Sequence, residues 1–170
     1  MSCSLVGSEM CIRDSDGSIQ NPFKTLKKAL SNNDCIPGDI IYVKDGVYSN
    51  DNFGSGNKSN SAVLNINSSY NGTVNLPVII RNYPGEKPKI NFDGSGGFII
   101  GSSSNPVNHV EIAGFEIQGP NQNINYEEAK AWRDSYVANN TQSLKHYYHG
   151  RGIAIWGLSL IHISEPTRLQ

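Results

Sequence analysis

Residues 77–119 read PVIIRNYPGEKPKINFDGSGGFIIGSSSNPVNHVEIAGFEIQG, and this stretch decides the fold. Short runs rich in β-branched and aromatic residues alternate with clusters of Gly, Pro, Asn, Ser and Asp. The runs cover residues 78–80, 89–92, 98–100, 110–112 and 115–117. Each run has the length of a short strand, and each cluster is rich in turn formers. Nothing between the runs has the length of a crossover helix, so the pattern predicts a chain that coils on itself as a solenoid.

The alternation of side chains separates the interior of this solenoid from its outer surface. In the last two runs the apolar residues face the interior, whereas Glu111, Glu116 and Gln118 face out. Gly114 marks a bend between these two runs. The sequence GSGG at 94–97 predicts a coil corner, because glycine permits the positive φ angles of tight turns.

Three asparagines lie beside predicted strands, at Asn82, Asn91 and Asn108. Asparagine side chains bond readily to nearby turn backbone. We therefore expect these residues to contribute to an inward asparagine ladder across successive coils.

A short amphipathic helix is predicted before the first strand. Asn21 is placed to cap it, and Pro22 suits its first position. The residues that share one face of this helix are Phe23, Leu26, Ala29 and Leu30. Pro37-Gly38 ends the segment, and a strand follows over 39–43. A solenoid needs its first coil covered, so we interpret the helix as an N-terminal cap.

The strings NPFKTLKKAL…PGDIIYVKDGVY, PVIIRNYPGEKPKINFDG, VEIAGFEIQG and GRGIAIWG together resemble the opening of right-handed parallel β-helix proteins of the pectate-lyase-like superfamily. This resemblance covers most of residues 16–157. It implies an all-β solenoid with a capping α-helix and an early position in a longer domain. Many lyases, hydrolases and non-enzymatic surface proteins share such strings, so the resemblance is specific for the fold rather than for one activity.

Composition excludes several classes of protein. The 170 residues carry a formal charge of −1 and a charged fraction of 17%, so no basic field favours nucleic acid. No apolar run approaches the roughly 18 residues that a membrane span needs. The three cysteines are too few and too scattered for a disulfide framework or a zinc site.

Both ends of the chain differ in character from the sequence between them. Residues 1–15 and 158–170 resemble translated sequencing-adapter segments, and we interpret them as artefacts that do not belong to the fold. The remaining 16–157 is then expected to be the cap and the first coils of a longer, bacterial, secreted or cell-surface protein. We expect that parent protein to be monomeric.

Residues 119–150 interrupt the strand pattern and predict an insertion between coils. Asn125 with the following Tyr-Glu-Glu indicates a capped helix over about 126–137. Aromatic and basic residues cluster in this insertion and just after it, and they offer flat faces and positive charge for acidic sugars. The predicted substrate contacts are Tyr148, His149, Arg151 and Trp156, with Glu116 on the neighbouring wall. For Trp132 and Tyr136 we favour a packing role, in which they attach the helix to the solenoid wall, over contact with a sugar.

The resemblance implies β-elimination on uronate-containing polysaccharides as the leading activity of the parent protein. Such a lyase neutralises the substrate carboxylate, often with calcium or arginine, and supplies a base. Glu111 and Glu116 are acidic, but no dense cluster of aspartates is visible, so no calcium or other metal site is assigned in this chain. Catalytic residues are expected in later coils. A glycoside hydrolase on the same fold, or a non-catalytic carbohydrate-binding or adhesive β-helix, is the alternative.

Overall fold

The computed structural model describes residues 3–6, 16–31, 36–51, 53, 62–94, 96–120, 125–139 and 150–157. Short strands dominate this part of the chain, together with two α-helices. The strands are β1 (Cys3–Val6), β2 (Ile40–Val43), β3 (Val47–Ser49), β4 (Ala62–Ile66), β5 (Val78–Asn82), β6 (Lys89–Asn91), β7 (Gly96–Ile100), β8 (Val110–Ala113), β9 (Glu116–Gln118) and β10 (Arg151–Ile155). The helices are α1 (Leu26–Ser31) and α2 (Tyr126–Asn139).

The strands form three parallel sheets that the chain visits in a repeating order. Sheet A has the order β1-β2-β5-β8, sheet B the order β3-β6-β9 and sheet C the order β10-β7-β4. Each coil therefore contributes one strand to every sheet, as in β2-β3-β4, β5-β6-β7 and β8-β9-β10. This is the arrangement of a parallel β-helix, and it confirms the solenoid that the sequence predicts. The right-handed sense of the coil stays a prediction.

The strand register stacks the inward side chains of successive coils on one another. Ile41 pairs with Ile80 in sheet A, and Leu64 pairs with Phe98 in sheet C. All four belong to one buried hydrophobic cluster, in which Phe98 is 0% exposed. The strands over 40–100 are only three to five residues long. They can still enclose a continuous core, because each coil covers the one before it.

Helix α1 contributes to this core, but it begins later than the sequence predicts. Its backbone starts at Leu26, and the Thr25 hydroxyl accepts a hydrogen bond from Lys28 N at 3.1 Å. Thr25 is therefore the cap, and the prediction of Asn21 was wrong: Asn21 instead donates its backbone N–H to Ser18 Oγ at 3.1 Å. The predicted apolar face is confirmed, since all four of its residues are buried in the main cluster.

The predicted corner at 94–97 is correct in part, since Gly94 lies in the connection between β6 and β7 but Gly96 and Gly97 do not. Gly96 and Gly97 lie inside β7, and their φ angles are not in the left-handed region. Instead the neighbouring strand approaches closely: a Cβ on Gly96 would lie 2.6 Å from Arg151 O, and one on Gly97 would lie 2.7 Å from Gly152 O. Glycine is needed there for space rather than for backbone rotation.

The predicted asparagine ladder is correct in part. Asn82 donates from Nδ2 to Glu86 O at 2.8 Å and to Tyr83 O at 3.3 Å, so it bonds the turn after β5. Asn91 is registered with Gln118 on the outer side of sheet B, and the side chain of Asn108 is exposed. These two positions do not join an inward ladder.

The insertion over 119–150 lies within the third coil, between β9 and β10, and not between coils. The same sheet B to sheet C connection spans 50–61 in the first coil and 92–95 in the second. Asn125 Oδ1 accepts from Glu127 N at 2.9 Å and from Glu128 N at 3.3 Å, which confirms the predicted cap of α2. The helix extends to Asn139, two residues beyond the predicted end. Strand β4 pairs with β7 as a regular wall strand.

The two segments set aside as artefacts are not equivalent in the structure. β1 lies within residues 1–15 and pairs in parallel with β2. Residues 158–170 lie outside the described residues. The assignment of both segments as artefacts stays a prediction.

Candidate functional site

Two of the predicted contact residues lie at opposite ends of β10 and meet. Arg151 begins the strand and Trp156 follows its last residue. The Arg151 Cζ atom lies 5.2 Å from the centroid of the Trp156 ring, so the arginine side chain extends along the strand toward the tryptophan. Trp156 is 43% exposed, and Arg151 is exposed. A guanidinium over an indole face is a favourable cation–π arrangement, which holds both groups at the surface.

The register of sheet C places Trp156 in a row with one residue from each earlier coil. Ile66, Ile100 and Ile155 are paired, so the next residues in the row are Asn67, Gly101 and Trp156. Backbone hydrogen bonds continue this alignment past the strands, from Gly101 N to Ile66 O at 2.8 Å and from Trp156 N to Ile100 O at 2.8 Å. The middle member, Gly101, has no side chain. A Cβ there would lie 2.7 Å from Trp156 O, so the backbone of the third coil packs directly against Gly101.

A groove of about 340 Å³ runs along this side of sheet C, and we call it the sheet C groove. Its walls come from the ends of β4 and β7 and from the turns that follow them. They include Asn65, Asn67 and Ser69 from the first coil and Ser102 and Asn105 from the second. The groove is polar, with amide and hydroxyl groups on both sides.

Hydrogen bonds within the turns fix the walls of the sheet C groove. Asn67 Oδ1 accepts from Ser69 N at 2.9 Å and so caps a short 3-10 turn over Ser68–Tyr70. On the other wall, Ser102 Oγ accepts from Asn105 N at 3.1 Å. Because these side chains bond their own backbone, they hold the shape of the turns before any ligand is present.

Sequence reasoning did not identify the asparagines and serines of this groove. The composition of 62–69 and 99–105 is ordinary for turns, and the two segments are more than 30 residues apart in the chain. They come together because parallel strands on successive coils lie only about 4.8 Å apart. The signal that could have found them is their position directly after two strands of the same sheet.

Glu116 does not lie on the same sheet as Arg151 and Trp156. It begins β9 in sheet B, where it is registered with Lys89, and the Lys89 Nζ atom lies 3.1 Å from its carboxylate. The carboxylate is exposed but already has a cation beside it. Glu111 lies in sheet A and is exposed, which confirms that both glutamates face outward.

Tyr148 and His149 lie outside the described residues, and nothing is described of the side chains of Trp132 and Tyr136. These four therefore stay predictions. Gly150, the next described residue, contacts the second coil closely, since a Cβ on it would lie 2.7 Å from Gly94 O. The predicted contacts at 148 and 149 thus directly precede a point where the backbone is packed against the wall.

The fit of a calcium ion can be judged from the carboxylates. Glu111 and Glu116 project from different sheets, so they do not form a shared site. In the ranges that the structure describes, no group of three or more His, Cys, Asp or Glu side chains is placed to hold a metal ion. These residues do not fit calcium. The helices in the same ranges are all too short or too polar to cross a membrane.

The geometry defines a parallel β-helix protein with an exposed polar groove, a neighbouring tryptophan and a stacked arginine on one sheet. A family model described as "Protein of unknown function (DUF1565)" matches residues 12–162, and the chain belongs to this family. The comparison with curated proteins gave no match. Among solved structures, the chain is similar to a protein titled "Rhamnogalacturonan lyase", with 21% sequence identity and a TM-score of 0.49. The aligned region covers 70% of this chain and 29% of that protein.

Proposed function

We propose that this chain belongs to a polysaccharide-active β-helix protein and that sheet C carries part of its glycan-binding surface. The observation that carries this proposal is the position of Trp156. This residue is 43% exposed, and its backbone packs against Gly101, one of the residues that line the sheet C groove. A flat apolar surface next to a polar groove offers a sugar the two kinds of contact that its ring requires.

The chemistry of a sugar ring explains why these residue types suit it. One face of many sugar rings carries C–H groups, and an indole ring packs against such a face over a large area. The hydroxyl groups both donate and accept hydrogen bonds, which the amide of asparagine and the hydroxyl of serine can match in either sense. Binding sites of this type combine apolar surface with a few placed polar groups.

Arg151 supports the finer proposal that the glycan contains uronate residues. Its guanidinium lies against the Trp156 ring, so a carboxylate on a sugar stacked there would meet a cation. Arginine binds carboxylates through two parallel hydrogen bonds. Neutralising the carboxylate makes the neighbouring C–H more acidic, which is the first requirement of β-elimination. We therefore propose that the whole protein is a secreted or cell-surface polysaccharide lyase, with Tyr148 and His149 as further substrate contacts.

We assign no catalytic base and route no step through calcium, because the described carboxylates do not form a site for it. Measuring product formation with and without calcium tests whether the activity of the whole protein depends on this ion. Glycoside hydrolysis and binding without catalysis are the outcomes that would replace it.

The first test is binding by the full chain to polygalacturonate, measured by isothermal titration calorimetry. Removing the indole in Trp156→Ala should weaken binding by about 0.5–1.5 kcal/mol, the usual contribution of one well-placed aromatic contact. Phe53→Ala is the matched control, because Phe53 is 40% exposed and lies in the connection at the other end of sheet C. Equal losses in both variants would contradict the assignment of this surface.

The second test follows the ultraviolet absorbance of unsaturated products from uronate polysaccharides. Product formation that Arg151→Ala reduces would support lyase activity. Binding without any unsaturated product, with or without calcium, would favour a binding protein or a hydrolase. Reducing-end release without unsaturation would identify the hydrolase.

A further inference from the structure

The sheet C groove differs from the Arg151–Trp156 pair in charge. Among the residues that the structure describes, those that line the groove are all Asn, Ser, Ile or Gly, and none of them is ionisable. The cation lies on the next coil, beside the tryptophan. The two parts of this surface are therefore suited to different sugar residues.

A carboxylate in the groove would meet no cation among the described residues that line it. Moving an ionised group out of water without a partner of opposite charge is costly, and amide and hydroxyl groups offset that cost only in part. Neutral hydroxyl or acetamido groups carry no such penalty, since the groove offers them both donors and acceptors. A volume of about 340 Å³ lies at the small end of the range for ligand pockets, which suits a short piece of glycan.

Asn65 is the residue best placed to form hydrogen bonds with an uncharged sugar in the groove. It lies on the outer side of sheet C, in the row Asn65, Ile99 and Ala154. Its side chain is exposed, whereas Ile99 beside it is half-buried and presents an apolar surface. Asn67 and Asn105 are engaged with their own turns, but the Asn65 amide has no hydrogen bond to another described residue.

We propose that the sheet C groove is a subsite for an uncharged sugar residue and that Asn65 selects it. The glycan that this protein binds would then carry neutral residues next to its acidic ones. The inference rests on the proposed function, because it assumes that a glycan occupies this surface.

The experiment compares three probes of equal length against the full chain by calorimetry. They are a neutral galactose oligosaccharide, a galacturonate oligosaccharide and a mixed oligosaccharide that contains both kinds of residue. The mixed probe should bind most tightly. Asn65→Ala should weaken its binding by roughly 3- to 10-fold, the loss expected for one hydrogen bond, and should leave the galacturonate probe unchanged. Asn65→Asp should weaken the galacturonate probe as well, because it adds a negative charge beside the groove.

Asn75→Ala is the matched control, since Asn75 is an exposed asparagine in the turn after Thr73. It should bind all three probes like the wild type, and thermal unfolding of each variant should confirm an intact fold. If the galacturonate probe binds as tightly as the mixed probe, or if Asn65→Ala weakens neither, the subsite is overturned while glycan binding stands. If none of the probes binds, both proposals fail together.

Discussion

Asn50 and Asp93 hold each other through two hydrogen bonds inside the solenoid. Asn50 donates from Nδ2 to Asp93 Oδ1 at 3.0 Å, and Asp93 N donates to Asn50 Oδ1 at 3.1 Å. The two residues are 3% and 4% exposed, and they lie on neighbouring coils where the chain leaves sheet B. This pair provides the inward polar bonding that the sequence led us to expect from Asn91 and Asn108 instead. Because it bonds one corner to the next, it fixes the stacking of the first two coils.

Replacing Asn50 by alanine should destabilise the protein by about 1–3 kcal/mol. The change leaves a buried carboxylate and a buried N–H without the partner that Asn50 supplies, and such groups cost their full desolvation energy. Urea unfolding followed by circular dichroism measures the effect. Asn75→Ala removes an exposed asparagine and should change the midpoint little; equal losses in the two variants would contradict the role of the pair.

Alanine substitutions at two glycines with positive φ can distinguish the cost of backbone strain from the cost of steric crowding. Gly85 and Gly114 have φ angles of 83° and 79°. A Cβ on Gly85 would meet nothing within 4 Å, whereas one on Gly114 would lie 1.9 Å from Asn82 Oδ1. Gly85→Ala should therefore cost about 1–2 kcal/mol for the left-handed backbone alone.

Gly114→Ala should cost clearly more than Gly85→Ala, because it also displaces Asn82 from the turn that it bonds. The loss of that partly buried hydrogen bond adds about 0.5–1.5 kcal/mol. The difference between the unfolding free energies of Gly114→Ala and Gly85→Ala gives the energetic cost of crowding at position 114. Similar values for both variants would show that Asn82 moves aside at no cost.

The strands were predictable because their signal is local. The predicted run at 110–112 lies within β8, which spans Val110–Ala113 in the structure. Inward and outward positions followed from alternation alone, as Glu111 and Glu116 show. The cap of α1 was harder, because Asn21-Pro22 and Thr25 are both acceptable helix starts and the packing of Phe23 decides between them. Local propensity ranks such starts only weakly.

The contacts that shape the site could not be predicted, because they join residues far apart in the chain. Gly97 must be glycine on account of the Gly152 carbonyl, which belongs to another coil. Asn65 and Asn105 line one groove for the same reason. Trp156 was identified because a flat aromatic ring suits a sugar, whereas asparagine is ordinary in a turn.

Tyr48 should make the protein sensitive to alkaline pH. It is 5% exposed, and its hydroxyl donates to Lys44 O at 2.9 Å. Burial, and then the negative charges of Glu86 and Asp45, raise the pKa of Tyr48 above its ordinary value of 10.0. Its contribution to stability is therefore fully present below the ordinary value and is lost as the pH rises toward the raised pKa of the folded state.

The measurement for Tyr48 is the urea midpoint at a series of pH values from about 8 to 11, around the ordinary tyrosine pKa. Tyr48→Phe should be less stable than the wild type at pH 8, since it loses the bond to Lys44. It should also lose less stability on the way to pH 11, because no phenol remains to ionise. Tyr126→Phe, at a position 72% exposed, controls for the loss of a tyrosine hydroxyl in general. Parallel pH curves for wild type and Tyr48→Phe would contradict the prediction.

The inward side chains of the last coil predict self-association of the chain. Ile153 and Ile155 are 48% and 43% exposed, although their register partners Phe98 and Ile100 belong to the core or pack against it. In the ranges that the structure describes, no strand pairs with the far edge of β10, and apolar side chains beside an unpaired edge promote association between molecules. Sedimentation velocity should show a concentration-dependent increase in mass, and Ile155→Ser should shift it to higher concentration. Val74→Ser, at a position 76% exposed in a turn, should not. A monomer at every concentration, with a sharp cooperative melt, would show that this coil is stable without a cover.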